Sequence, residues 1–108
     1  MRVFVDARRP APSGWALARR KEDAIALLRT GEVEEISLAY RLDPDPEDQG
    51  TGYDVILWIE RAVIERSFAP PAVTIHDADG AQRERMIAGV RSIERAVQSF
   101  LGRKDTSS

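Results

Sequence analysis

The sequence predicts an α/β domain: a mainly parallel sheet covered by helices on both faces, a three-layer αβα sandwich. Two observations carry this. Short apolar runs of strand type, Arg2-Val3-Phe4-Val5-Asp6, Trp15 to Arg19, Glu35 to Tyr40 and Ala72 to His76, alternate with segments of helical period. Strands separated by helices join through right-handed crossovers, which makes the strands parallel and normally covers the sheet on both sides. The first run ends at an acid followed by the Pro-broken segment Arg8 to Gly14, so a strand and its exit loop are expected there. Ala24, Ile25, Leu27 and Leu28 form one stripe of a first helix that stops at Gly31. The prolines and glycines between Asp43 and Gly52 exclude regular structure. From Tyr53 to Arg66, Val55, Ile56, Leu57, Trp58, Ile59, Ala62, Val63 and Ile64 leave only a narrow polar stripe, so this helix must be largely covered. Met86, Val90, Ile93, Val97 and Phe100 then step along one face of a long last helix.

Composition bounds the function. At 108 residues, 43% hydrophobic and 31% charged, the chain makes one domain with a real core, assigned to residues 1–101 with 102–108 as a flexible tail. Lys and Arg number 16 against 18 Asp and Glu, a net charge of −2 that provides no global field for nucleic acid or an anionic membrane. There is no cysteine and one histidine, His76, which excludes thiol chemistry, thiolate zinc and multi-His metal centres. No run is long enough to span a membrane and the first residues do not read as a signal peptide, so a cytoplasmic protein is expected.

In open parallel sheets, ligands lie beyond the carboxyl ends of the strands. Those ends carry Asp6-Ala7-Arg8-Arg9, Ala39-Tyr40-Arg41 and His76-Asp77-Ala78-Asp79, three loops expected to meet at one rim. His76 stands at a catalytic position, with Asp77 and Asp79 beside it to favour its charged form, but the sequence identifies no partner for the imidazole on another loop. Arg8, Arg9 and Arg41 make a set able to grip phosphate or carboxylate; the plainer reading is that Arg8 and Arg9 pair with Asp6, Asp77 or Asp79. The spacing from Asp43 to Asp54 suggests a calcium loop, yet Pro44 and Pro46 stiffen it and Asp48 replaces the turn glycine. Thr51-Gly52-Tyr53-Asp54 fits a helix N-terminus better, and Trp15 and Trp58 are read as packing residues rather than base-stacking platforms.

Arg2-Val3-Phe4-Val5-Asp6 with Arg9-Pro10, Ser37-Leu38, Thr51-Gly52-Tyr53-Asp54, Ile75-His76 and Arg83-Glu84-Arg85-Met86 together resemble the cyclic-phosphate processing receiver-like domains, from residue 1 to about 97. The resemblance implies a receiver-like, flavodoxin-like fold with an acidic pair after the first strand, an SLDHDL-type cluster after the next long strand and an H-[ST]-AN-P turn later. It also implies action on cyclic phosphate ends or cyclic nucleotides. The chain departs from that pattern where the chemistry belongs. Ala7 replaces the second acid, Ala39 and Tyr40 stand where the cluster has a carboxylate and an imidazole, and the turn reads Asp77-Ala78-Asp79-Gly80.

Losing two acid–base groups at about 10² to 10⁴ in rate each leaves little family-type catalysis, and Ala39 cannot accept a phosphoryl group. The expectation is a catalytically impaired or re-purposed member, a natural pseudoenzyme or a rewritten site, working as a binding module. Its partner is a protein or a phosphorylated small molecule, received on a pocket that Ala7, Ala39 and Tyr40 make larger or more apolar. The alternative is a residual phosphodiesterase in which Asp6, Asp77 or Asp79 holds Mg²⁺ or Ca²⁺ and His76 acts as acid or base. His76 and Asp6 are the catalytic candidates; Arg8, Arg9, Tyr40, Arg41, Asp77 and Asp79 are the ligand-binding ones. No cofactor is implied outside the alternative.

Overall fold

A computed structural model describes residues 1–42 and 50–106, with side chains through residue 99. Seven elements follow in the order β1 (Arg2–Val5), β2 (Ala16–Ala18), α1 (Lys21–Leu28), β3 (Glu35–Ala39), α2 (Gly52–Arg66), β4 (Ala72–Asp77) and α3 (Gly80–Thr106). The strands form one four-stranded, all-parallel sheet in the order β2-β1-β3-β4, so the fold is the expected α/β, receiver-like one. Val3 lies across from Ile36 and Val5 from Leu38, which puts these four side chains on one face, with Phe4 and Ser37 on the other.

The covering of the sheet differs from the expectation. Joining β2 to β3 through α1 and β3 to β4 through α2 carries the chain across the sheet in the same direction both times. Right-handed crossovers then place both helices on the same face. Ala24 and Leu28 of α1, Val55, Ile56, Ile59 and Val63 of α2, and Met86 and Ile93 of α3 join Val3, Val5, Ile36 and Leu38 in one core. Each fully buried aliphatic side chain there contributes about 1.5 to 3 kcal/mol. Parallel β1 and β2 are joined by residues 6–15 without a helix, so among the described residues the second cover layer is not formed. Among the described residues on the face carrying Phe4 and Ser37, Trp15 of the β1–β2 loop packs edge-on to Phe4 at 6.4 Å, while Leu17 and Thr74 are exposed.

Thr51-x-x-Asp54 does form the N-terminus of α2. The Thr51 hydroxyl accepts the Asp54 N–H and the Asp54 carboxylate accepts the Thr51 N–H at 2.9 Å, a complete capping box. Asp54 is thereby committed to the helix, and residues 43–49 of the calcium-loop spacing lie outside the described residues. Thr51→Ala is expected to lower unfolding stability by about 1 kcal/mol, read from urea denaturation, with Thr51→Ser retaining most of it; equal midpoints for wild type and Thr51→Ala would refute the cap's contribution. Trp58 packs edge-on to Phe68 at 5.5 Å. The helix α3 runs past the expected boundary at 101 to Thr106.

Candidate functional site

Asp6 follows β1 directly and is 4% exposed. One carboxylate oxygen accepts the backbone N–H groups of Arg8 at 2.8 Å and Arg9 at 3.0 Å; the other lies 2.8 Å from His76 Nε2. Burial pushes the carboxyl up, but the N–H groups of Arg9 and Arg8 and the bond and charge of His76 together outweigh it, holding Asp6 below the usual carboxylate value. An ionised carboxylate only accepts, so the hydrogen-bond network assigns the proton to Nε2 of His76. With the ring neutral, Nδ1 accepts the Ser37 hydroxyl at 2.8 Å; with the ring charged, Nδ1 donates to the same oxygen. Three strands are tied by one polar chain, Asp6 to His76 to Ser37.

Backbone and packing hold the ring in place. Ala39 pairs with Asp77 although Leu38 pairs with Ile75, so the ladder is irregular there and His76 is the extra residue on β4. The Phe4 ring stacks on the imidazole at 4.2 Å and 14°. As β1 and β4 flank β3, the two rings meet over β3, where Ser37 is opposite Phe4 in the register and small enough to leave them room.

The rim residues gather beside this chain rather than within it. Tyr40, Arg41, Asp77, Ala78, Asp79 and Gln82 line a hollow of about 220 Å³. Tyr40 is fixed through its backbone, its N–H donating to the Asp77 carbonyl and its carbonyl accepting the Gly52 N–H, both at 2.8 Å. Arg41 continues into an isolated bridge with Thr51. Arg9 reaches Asp77 at 3.7 Å, with both side chains about half exposed, an arrangement worth at most about 1 kcal/mol. The guanidinium groups of Arg8 and Arg41 are in no ion pair among the described residues.

Several expectations change with this geometry. His76 does have partners on other strands, and they are Asp6 and Ser37 rather than Asp77 or Asp79. Asp6 and His76 touch, whereas Arg41 and Asp79 belong to the separate hollow. Of the two arginines read as pairing, Arg9 pairs with Asp77 while Arg8 meets Asp6 only through its backbone N–H. Ala39 is 1% exposed, so its replacement opens no apolar pocket. The donors do not fit a divalent ion: both Asp6 oxygens are engaged within the protein, and among the described residues no three His, Asp or Glu side chains group closely enough to ligate one. Two further residues hold the site together. Ser37 interrupts the apolar run Ile36-Ser37-Leu38-Ala39, and a hydroxyl buried mid-strand requires a partner. Arg19 donates to the carbonyls of Asp6 at 3.3 Å and Arg9 at 3.0 Å, pinning the loop after β1; no pattern in the sequence marks it.

An all-parallel sheet in the order β2-β1-β3-β4 with helical crossovers is consistent with a receiver-like α/β domain. The chain matches the family described as "Cyclic-phosphate processing Receiver domain" over residues 1–92, and it belongs to that family. It matches no curated protein and no solved structure. No helix among the described residues is long and apolar enough to cross a membrane.

Proposed function

We propose that this domain binds the phosphate group of a small cyclic phosphoester at its strand-end rim and does not carry out family-type hydrolysis. The observation that carries this reading is the closure of the acid–base groups on one another. Both nitrogens of His76 and both oxygens of Asp6 are hydrogen-bonded within the protein, and Phe4 covers one face of the ring. Hydrolysis needs one group to activate water and another to protonate the leaving oxygen; Asp6 and Ser37 are buried, so within this chain only the edge of His76 reaches solvent and the second group is lacking. Meanwhile Arg8 and Arg41 have no ion pair among the described residues, and Arg41 lines a hollow sized for a phosphate with part of its sugar. The polar lining favours a small anion over an apolar protein surface.

Calorimetric titration with adenosine 2′,3′-cyclic monophosphate tests this, with ring opening followed by chromatography. One site is expected, weakened about tenfold by Arg41→Ala and less by Arg8→Ala, with no product beyond the buffer rate. An affinity unchanged in both variants would overturn the reading. A second reading, metal-independent phosphodiester cleavage with His76 as acid or base, is favoured by one observation: the His76 side chain remains 18% exposed and is oriented by Asp6. Turnover in EDTA that disappears in His76→Ala would replace the first reading with this one.

A further inference from the structure

We infer that Asp77 is a specificity-determining residue that makes the rim prefer a singly charged cyclic phosphodiester to the doubly charged monoester formed when the ring opens. The inference rests on the rim being the phosphate site. Asp77 faces two ways: its carboxylate lies 3.7 Å from Arg9 and it lines the hollow with Arg41, Asp79 and Gln82. Arg41 supplies the positive charge within the hollow, and Asp77 and Asp79 supply two negative ones. Arg9 is drawn toward Asp77 and away from any ligand. A strand end built only to hold phosphate would not carry two acids at that point, because each repels every anion that enters.

The repulsion is unequal. Coulomb energy scales with the product of the charges, so a fixed carboxylate opposes a dianion twice as strongly as a monoanion in the same position. A cyclic phosphodiester carries one negative charge. A phosphate monoester carries close to two above its second ionisation, which lies near pH 6. If removing the Asp77 charge raises monoanion affinity about threefold, the Coulomb term for unit charges some 6 Å apart in water, the same change raises dianion affinity by the square of that factor, about tenfold. The acids therefore weaken the cyclic ester less than its own hydrolysis product, which differs in little else. Asp77 contributes twice, since its loss also frees the Arg9 guanidinium.

The test compares adenosine 2′,3′-cyclic monophosphate with adenosine 3′-monophosphate by calorimetry at pH 8 and low salt, in wild type, Asp77→Asn and Asp77→Glu. Wild type and Asp77→Glu are expected to favour the cyclic ester. Asp77→Asn is expected to reduce that preference about threefold, because binding tightens about tenfold for the monoester and only about threefold for the cyclic ester. Folding of each variant is checked by circular dichroism and thermal melting. A preference unchanged in Asp77→Asn, with both ligands still bound, overturns the role of Asp77 and leaves the phosphate site standing. Binding of neither ligand by wild type and Asp77→Asn overturns the phosphate site and the inference together.

Discussion

Asp6→Ala is expected to lower unfolding stability by about 3 kcal/mol, measured by urea denaturation at pH 7, and Asp6→Asn by less. The carboxylate accepts three bonds from two directions: the N–H groups of Arg8 and Arg9, which shape the loop after β1, and His76 Nε2 from β4. Alanine leaves the Nε2–H without an acceptor beneath the Phe4 ring and releases the loop that also supplies Arg9 to the rim. The same carboxylate gives a pH signature. Its value in the folded protein lies below the ordinary one, so ionisation and folding favour each other. The contribution is complete above the ordinary Asp value of about 3.9 and is lost as pH falls through the lower folded value. Wild type should therefore lose stability below about pH 4 faster than Asp6→Asn, the two profiles converging at the acid end. Parallel profiles down to about pH 2 would show that Asp6 is not held as a buried carboxylate.

What the sequence reveals of this molecule follows the range of the physics involved. Val3-Phe4-Val5 and Ile36-Ser37-Leu38 announce strands because branched and aromatic residues recur over a few positions, and Thr51-x-x-Asp54 announces a helix start because a capping box is local. The layering is not local. It depends on β2 lying outside β1, which sends both crossovers in one direction and gathers the helices on one face. The site divides in the same way. Asp6 and His76 are recognisable separately as polar residues at strand ends, but their contact spans 70 positions and is set by the registers of β1 with β3 and of β3 with β4. The irregularity opposite Ala39, which makes His76 the extra residue of its strand, leaves no mark in composition or period. Ser37 was within reach: a hydroxyl in the middle of an apolar strand asks for a partner, and the one histidine at a neighbouring strand end was available to answer.

Gly52→Ala should be the most damaging glycine-to-alanine change among the described glycines, costing about 3 kcal/mol or more and lowering the population of folded protein at 37 °C. Gly52 opens α2 where the helix turns back against the end of β3. A β-carbon there would collide with the Ala39 carbonyl oxygen and also press to 3.0 Å on Met86 Cε. Met86 can move aside, but the carbonyl belongs to the strand backbone and cannot swing away. Nor can the helix simply lift, because the Gly52 N–H donates to the Tyr40 carbonyl at 2.8 Å and the capping box fixes the preceding residue. Gly14→Ala is the informative comparison. Its φ of +85° makes alanine strained, yet nothing lies within 4 Å of the added carbon, so a cost of about 1 kcal/mol is expected from conformation alone. Equal losses in the two variants would mean that the approach of α2 to β3 is looser than this geometry requires. A much larger loss at Gly52, accompanied by weaker binding of the cyclic phosphoester at temperatures where the variant still folds, would show that the same contact positions Tyr40 and Arg41 at the rim.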